Sequence, residues 1–152
     1  MRNWQDIKSE EKPERDSLLD GQALSSSSLL TSFNYQKAAA RVGFDWPDVA
    51  GAFDKFEEEW QEFKDEVADG TQDSRTDELG DVFFTLVNIA RFLKLSPEEA
   101  MQHANQKFNT RFSYIERSVA AGRGSFDNYT VDELEEFWQQ AKRKGGNQDE
   151  AR

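Results

Sequence analysis

The chain has 152 residues, 36% of them hydrophobic and 12% aromatic, a composition that suits one domain with an aromatic-rich core. Its formal net charge of −11 repels polyanions and so argues against general binding to nucleic acid polymers. The absence of cysteine excludes thiolate metal sites, and the single histidine excludes a multi-histidine site within one chain. Since no signal peptide or long apolar run is visible, we expect a cytoplasmic protein that does not associate with membranes.

The two ends of the chain differ in composition from its middle. Residues 1–24 are charged and poor in aliphatic side chains, and they predict a flexible or linker-like N-terminal arm. Residues 25–143 carry the helical patterns and predict the single domain. The polar residues 144–152 predict a disordered tail.

The first half of the domain predicts three helices. A serine run offers an N-cap for a helix over residues 29–42. Apolar residues at steps of three and four predict a second helix over residues 47–68, with Pro47 in its first turn, and a third over residues 74–95. Residues 71–75 are polar and predict the loop between them.

Two capping signatures mark the helices of the second half. Ser96, Pro97 and Glu99 begin a fourth helix, which Gly122 ends. Thr130 and Glu133 begin a short fifth helix that runs to Lys142. No segment is typical of a strand, so the expected fold is all-α: a helical bundle of four main helices plus a short C-terminal helix.

Polar residues come directly before members of the apolar stripes, so each polar row flanks its stripe on the same side. Two carboxylate pairs at i,i+3 spacing, on the second and third helices, then face one another across a hairpin. The rows contain Glu59 and Glu62, then Glu78, Asp81, Thr85 and Asn88, and on the fourth helix Lys107, Arg111 and Tyr114. Four converging carboxylates repel one another and need a cation, and ligands that are all oxygen suit Mg²⁺ or Mn²⁺ rather than Zn²⁺.

The residues alone leave plainer interpretations open. In a chain with 30 acidic residues, paired carboxylates also arise on a solvated helix face. Lys107 and Arg111 suit phosphate binding or ion pairs with acidic neighbours. Asn88 lies in an apolar stretch and needs a hydrogen-bond partner. Trp46 and Trp138 suit stacking on a base or burial in the core.

The acidic residues, in their order along the chain, resemble the motif of the MazG-type nucleoside triphosphate pyrophosphohydrolases, an all-α superfamily. That motif is Glu-Glu-x-x-Glu, a spacer and Glu-x-x-Asp, and it matches residues 58–62 and 78–81. Residues 39–47, 86–91 and 104–112 also resemble flanking segments of the family. The resemblance extends over about residues 29–142.

The resemblance implies roles for individual residues. Glu59, Glu62, Glu78 and Asp81 are expected to bind Mg²⁺, with Mn²⁺ as a substitute, and Glu58 is expected to assist catalysis. Lys107 and Arg111 are expected to hold phosphates, Asn88 to orient the substrate, and Trp138 to lie by the base, with Trp46 as a second stacking candidate. The implied reaction converts a nucleoside triphosphate to a monophosphate and pyrophosphate. A homodimer or higher homo-oligomer is implied, with sites completed by both chains.

Two alternatives to this enzyme remain open. Full MazG proteins often carry two repeats, and this chain resembles the C-terminal repeat, so it is also compatible with a regulatory half of a longer protein. A non-catalytic dimeric helical interaction module would keep the bundle and its acidic face without turnover. A di-iron carboxylate bundle is disfavoured because it needs paired Glu-x-x-His motifs, which one histidine cannot supply.

Overall fold

The computed structural model describes residues 17–20 and 27–149, so most of the predicted N-terminal arm and residues 150–152 lie outside the described residues. The described residues form five α-helices and one short 3₁₀ helix, and they contain no strand. In chain order these are α1 (Ser28–Arg41), α2 (Val49–Asp69), α3 (Gln72–Phe92), α4 (Pro97–Ala121), the 3₁₀ helix (Phe126–Asn128) and α5 (Val131–Asp149). The predicted all-α fold is confirmed. None of the helices in the described ranges combines the length and apolarity needed to cross a bilayer.

The helix starts follow from side-chain caps. The Ser27 hydroxyl accepts a hydrogen bond from the Leu30 amide at 3.3 Å, which confirms the serine cap of α1. Asp48, not Pro47, caps α2, because Asp48 Oδ1 accepts from the Ala50 amide at 2.9 Å and leaves Pro47 before the helix. The predicted start at Pro47 is therefore wrong.

The predicted loop over residues 71–75 is also wrong, because Thr71 and Ser74 form a reciprocal capping box that starts α3 at Gln72. Ser74 N donates to Thr71 Oγ1 at 3.1 Å, and Thr71 N donates to Ser74 Oγ at 2.9 Å. The predicted end at residue 95 is wrong as well: α3 ends at Phe92, and Lys94 adopts a left-handed backbone with φ of 57°.

The α5 helix begins as predicted and ends later. Thr130 N donates to Glu133 Oε2 at 2.9 Å, and Glu133 N donates to Thr130 Oγ1 at 3.2 Å. The helix continues to Asp149, so the predicted end at Lys142 is wrong. Gly145 and Gly146 disfavour a helix by about 1 kcal/mol each, but neither takes the left-handed backbone that ends one.

The chain divides into two compact units, residues 1–99 and 100–152. In the first unit α2 and α3 pack along their lengths, and α1 packs on α3. The tight α2–α3 connection is held by Arg75, whose guanidinium donates to the carbonyls of Glu66 at 2.9 Å and Val67 at 3.0 Å. The buried apolar side chains of this unit are Ala38, Ala52, Val82, Val87 and Ile89.

The second unit contains most of α4 and all described residues of α5. Ile115, Val119 and Ala141 are buried there. The Tyr114 hydroxyl donates to Gln140 Oε1 at 3.0 Å and ties the two helices together.

Many large apolar side chains are exposed on the single chain. On α2 and α3 the most exposed are Phe53 at 45%, Trp60 at 43%, Val67 at 52%, Phe83 at 52%, Phe84 at 44% and Leu86 at 45%. No large side chain of the described residues is completely buried. The predicted apolar stripes are present, but the described residues cover only part of them.

Candidate active site

Glu59 is the central acidic residue of the first unit. It lies on α2 with a relative exposure of only 6%, although it was predicted from a flanking polar row. Its carboxylate belongs to two groups whose oxygens lie within 4.8 Å of one another: one with Glu58 and Glu62, the other with Glu78 and Asp81 across the hairpin. The five acidic residues predicted from sequence are therefore brought together around Glu59.

The packing of these carboxylates makes them harder to ionise. The negative charge of Glu59 raises the pKa of Glu62 above its ordinary value. Loss of contact with water raises the pKa of Glu78, and the charges of Glu62 and Asp81 add to that effect. Loss of water contact and then the charge of Glu59 likewise raise the pKa of Asp81. Each shift has the sign expected when like charges are held together without enough countercharge.

The donor set fits a hard divalent cation. Every ligand atom in the two groups is a carboxylate oxygen, which suits Mg²⁺ or Mn²⁺. Glu78 Oε2 is buried and has no hydrogen-bond partner among the described residues. A buried, unpaired carboxylate oxygen is costly, and coordination to a cation would satisfy it.

A cation that the sequence analysis missed lies beside Glu59. The ammonium group of Lys55 is 2.5 Å from Glu59 Oε1 and 3.0 Å from Glu58 Oε1. Its hydrogen bonds to Glu59 and then Glu58 raise the pKa of Lys55, so it stays protonated. The signal was its spacing, i,i+3 and i,i+4 to the two glutamates on one helix.

The carboxylates border a cavity of about 640 Å³ in the first unit, within the usual range for small-molecule sites. Glu59 and Asp81 contribute to its wall, as do Trp46 and Asn88, two predicted substrate-binding residues. The Trp46 ring lies against Gly51 so closely that a Cβ there would be 3.0 Å from it. Eight residues of helix separate Gly51 from Glu59, about 12 Å at 1.5 Å per residue. Along α2, the residue beneath the Trp46 ring thus lies roughly two turns from Glu59.

A polar chain holds the loop that carries Trp46. Arg91 donates to both carboxylate oxygens of Asp45, at 2.9 and 2.5 Å. It also donates to Asn88 Oδ1, at 3.0 Å from Nε and 2.8 Å from Nη2. Asn88 therefore has the partner that its apolar surroundings required, and Asp45 accepts a further bond from the Trp46 amide at 2.9 Å.

The remaining predicted residues lie in the second unit. There the Arg111 guanidinium lies over the Trp138 ring, 5.4 Å from its centroid, and Phe108 contacts the same ring at 5.6 Å. Lys107 is exposed on α4. Within the described part of this unit, neither Lys107 nor Arg111 forms an ion pair, so the plainer interpretation of paired cations finds no support there.

The geometry defines an all-α protein with a cluster of carboxylates, which could hold a cation, beside a cavity lined in part by aromatic residues. Residues 52–115 match the family described as the MazG nucleotide pyrophosphohydrolase domain. The matched residues thus have the sequence pattern of a MazG domain, and the resemblance noted from the sequence motifs is confirmed.

Two curated relatives match most of the chain. It is 34% identical over 144 residues to the nucleoside triphosphate pyrophosphohydrolase/pyrophosphatase MazG of Thermotoga maritima. This alignment covers 93% of the chain and 54% of the relative. It is 37% identical over 148 residues to the nucleoside triphosphate pyrophosphohydrolase of Escherichia coli K12. This alignment covers 95% of the chain and 56% of the relative. The chain therefore spans about half the length of the curated relatives it matches.

Proposed function

We propose that the chain is a Mg²⁺-dependent nucleoside triphosphate pyrophosphohydrolase, which converts a ribo- or deoxyribonucleoside triphosphate and water to the monophosphate and pyrophosphate. The observation that carries the proposal is the position of Glu59, which is shared by two carboxylate groups and lines a cavity that Trp46 also lines. The names of the two relatives support the same activity.

In this proposal Glu59, Glu62, Glu78 and Asp81 hold the metal, and Glu58 assists them. Bound Mg²⁺, or Mn²⁺ in its place, supplies Lewis acidity toward phosphoryl oxygens and a water of lowered pKa. The protein holds the four carboxylates together before the metal arrives, since helix pairing fixes their positions. Lys55 offsets part of their repulsion in the meantime.

The other predicted residues bind the substrate. Lys107 and Arg111 hold phosphate oxygens, for which the planar Arg111 guanidinium offers paired donors. Trp46 and Trp138 stack on the base, a contact that every base tolerates. Asn88 helps to orient the substrate through its amide, and Arg91 fixes the position of that amide.

The test measures pyrophosphate release from the eight common ribo- and deoxyribonucleoside triphosphates, with and without Mg²⁺. Glu59→Gln and Asp81→Asn keep side-chain size and remove one ligand charge each, so each should reduce kcat by at least about 100-fold with the helical circular dichroism unchanged. Glu57→Gln is the matched control, because it makes the same change at an exposed position of α2 outside both carboxylate groups.

Retained activity in both ligand variants would refute the assigned ligands. No release from any nucleotide by the folded, Mg²⁺-loaded protein would favour a non-catalytic interaction module or a regulatory half of a longer protein.

We also propose that the chain acts as a homodimer or a higher homo-oligomer. The support is the row of exposed apolar side chains on α2 and α3, which a soluble monomer rarely leaves uncovered. A second copy offers the same apolar faces, and closed pairs of identical chains are the commonest assembly.

A further inference from the structure

Gln36 on α1 is a buried polar residue with one unsatisfied atom. Its relative exposure is 8%. Its Nε2 donates to the backbone carbonyl of Phe84 at 2.8 Å. Its Oε1 is buried and has no hydrogen-bond partner in the described part of the chain.

The hydrogen bond to Phe84 fixes which way the amide faces. If the amide were flipped, Oε1 would meet the Phe84 carbonyl oxygen, and two acceptors would repel each other. The acceptor is therefore held in one direction. A buried acceptor without a donor destabilises the fold, so such an atom calls for a partner beyond the described residues.

The same side chain contributes to the wall of the cavity described above. Its neighbours in that wall include Tyr35, Trp46, Asp81 and Asn88. The hydrogen bond to Phe84 places Gln36 beside the turn of α3 that follows Asp81, and three residues of helix correspond to about 4.5 Å. Gln36 thus lies past the carboxylates, toward Asn88.

We propose, in an inference that rests on the proposed function, that Gln36 determines nucleoside specificity. Its Oε1 accepts a hydrogen bond from an N–H group on the edge of the base. An acceptor oxygen repels phosphate oxygens, so the phosphates are excluded as its partner. A sugar hydroxyl offers the same donor chemistry. The base is favoured because aromatic side chains, which suit a flat ring, share this wall.

The experiment compares kcat/KM for pairs of triphosphates that differ in a single donor. Cytidine and adenosine triphosphates are paired with their 4-deamino and 6-deamino analogues, uridine with its 3-methyl and guanosine with its 1-methyl analogue, and each ribonucleotide with its 2′-deoxy form. Among the pairs that differ in the base, wild type should prefer the donor-bearing nucleotide of at least one pair by about tenfold in kcat/KM, the value of one well-made hydrogen bond. In Gln36→Met, which keeps the size and removes the amide, that ratio should fall close to one.

The ratio is measured within one protein preparation, so a lower folded fraction does not affect it. Gln61→Met is the matched control: it makes the same change on the exposed side of α2, outside the cavity, and should leave every ratio unchanged. If Gln36→Met fails to fold, the wild-type protein still tests the inference. Wild-type kcat/KM ratios close to one for every pair would refute it. Ratios that survive in a folded Gln36→Met also refute it, and assign the acceptor to a bound water or to packing.

The outcomes separate this inference from the proposed activity. If Gln36→Met changes only the kcat/KM ratio between the ribonucleotides and their 2′-deoxy forms, then Oε1 accepts its hydrogen bond from the sugar hydroxyl and not from the base. Binding of α,β-methylene triphosphates, measured by calorimetry, gives the same ratios without turnover. Binding that discriminates through Gln36 without hydrolysis supports the inference and refutes the enzyme, whereas hydrolysis with equal ratios supports the enzyme and refutes the inference. If the protein neither binds nor hydrolyses any of these nucleotides, both the inference and the proposed activity are refuted.

Discussion

Lys55 and the metal are expected to compete for the same carboxylate. The ammonium group lies 2.5 Å from Glu59 Oε1, where it reduces the repulsion among the acidic residues. When a divalent cation binds Glu59, it meets the positive charge of Lys55. The residue thus favours the metal-free fold and opposes metal binding, and both effects rest on one contact.

Replacing this lysine should therefore separate the two effects. We expect Lys55→Met to lower the melting temperature of the metal-free protein and to tighten Mg²⁺ binding by about two- to fivefold, a modest gain because Lys55 is partly exposed. Calorimetric titration with Mg²⁺ measures the affinity. Lys64→Met, at an exposed position of the same helix, is the control. Weaker Mg²⁺ binding in Lys55→Met would show that the lysine supports the metal site instead.

The raised pKa values of Glu62, Glu78 and Asp81 give a pH prediction with a definite sign. A carboxyl group whose pKa is higher in the folded than in the unfolded chain binds more protons when folded, so it stabilises the fold as the pH falls toward that raised pKa. Metal ligands must instead be deprotonated. The increase in melting temperature caused by Mg²⁺ should therefore be largest near neutral pH and shrink as the pH approaches the raised values, above 4.5 for the two glutamates.

Thermal unfolding with Mg²⁺ or with a chelator, across that pH range, measures the difference directly. Glu133 provides an internal contrast in the second unit, because Arg123 lowers its pKa and its contribution is lost only at lower pH. A Mg²⁺ effect that does not change with pH would show that these carboxylates are not the ligands.

At the scale of elements, the α1–α2 connection depends on α3 for its position. Arg91 binds Asp45 through two hydrogen bonds and has a side-chain exposure of only 13%. Asp45 in turn accepts from the Trp46 amide. The α3 helix carries Glu78 and Asp81, two of the proposed metal ligands, and through Arg91 it also positions Trp46.

Loss of this ion pair should weaken substrate binding more than it slows turnover. We expect Asp45→Asn and Arg91→Met each to raise KM by roughly three- to tenfold with a smaller change in kcat, because they loosen Trp46 and leave the carboxylates in place. The double variant should raise KM no further than the worse single variant, since both remove one interaction. Arg117→Met, on the exposed face of α4, is the control. Additive effects in the double variant would show that the two residues act separately.

The parts of the site that lie within one helix were readable from the sequence, and the parts that depend on contacts between elements were not. Spacing placed Glu59 with Glu62 and Glu78 with Asp81, because the period of a helix is fixed. The orphaned oxygen of Gln36 depends on a contact 48 positions along the chain, which no local pattern encodes. Helix limits also shifted: the polar residues of the predicted loop satisfy the first turn of α3 through Thr71 and Ser74.

The described part of the chain presents more apolar surface than it covers by itself. Phe53, Trp60 and Phe83 recur at the helical spacing that marks the apolar faces of α2 and α3, yet each is more than two-fifths exposed. Periodicity identifies the apolar face of a helix but not the surface that covers it, and this is where the sequence-based prediction of the core ends. Because a second copy of the chain would cover the exposed apolar rows of α2 and α3, we expect the protein to self-associate.

Leu86 offers a direct test of that association, since it lies on α3 with 45% of its surface exposed. On an isolated chain, Leu86→Glu should change stability by no more than about 0.5 kcal/mol, as surface substitutions usually do. In a dimer that buries the leucine it should shift the population to monomers and lower the melting temperature, because a buried unpaired charge is costly. Val131→Glu is the control, at 81% exposure in the first turn of α5, where a negative charge is favourable. Sedimentation equilibrium at micromolar concentrations should give twice the chain mass for wild type and Val131→Glu. A monomeric wild type would contradict the dimer.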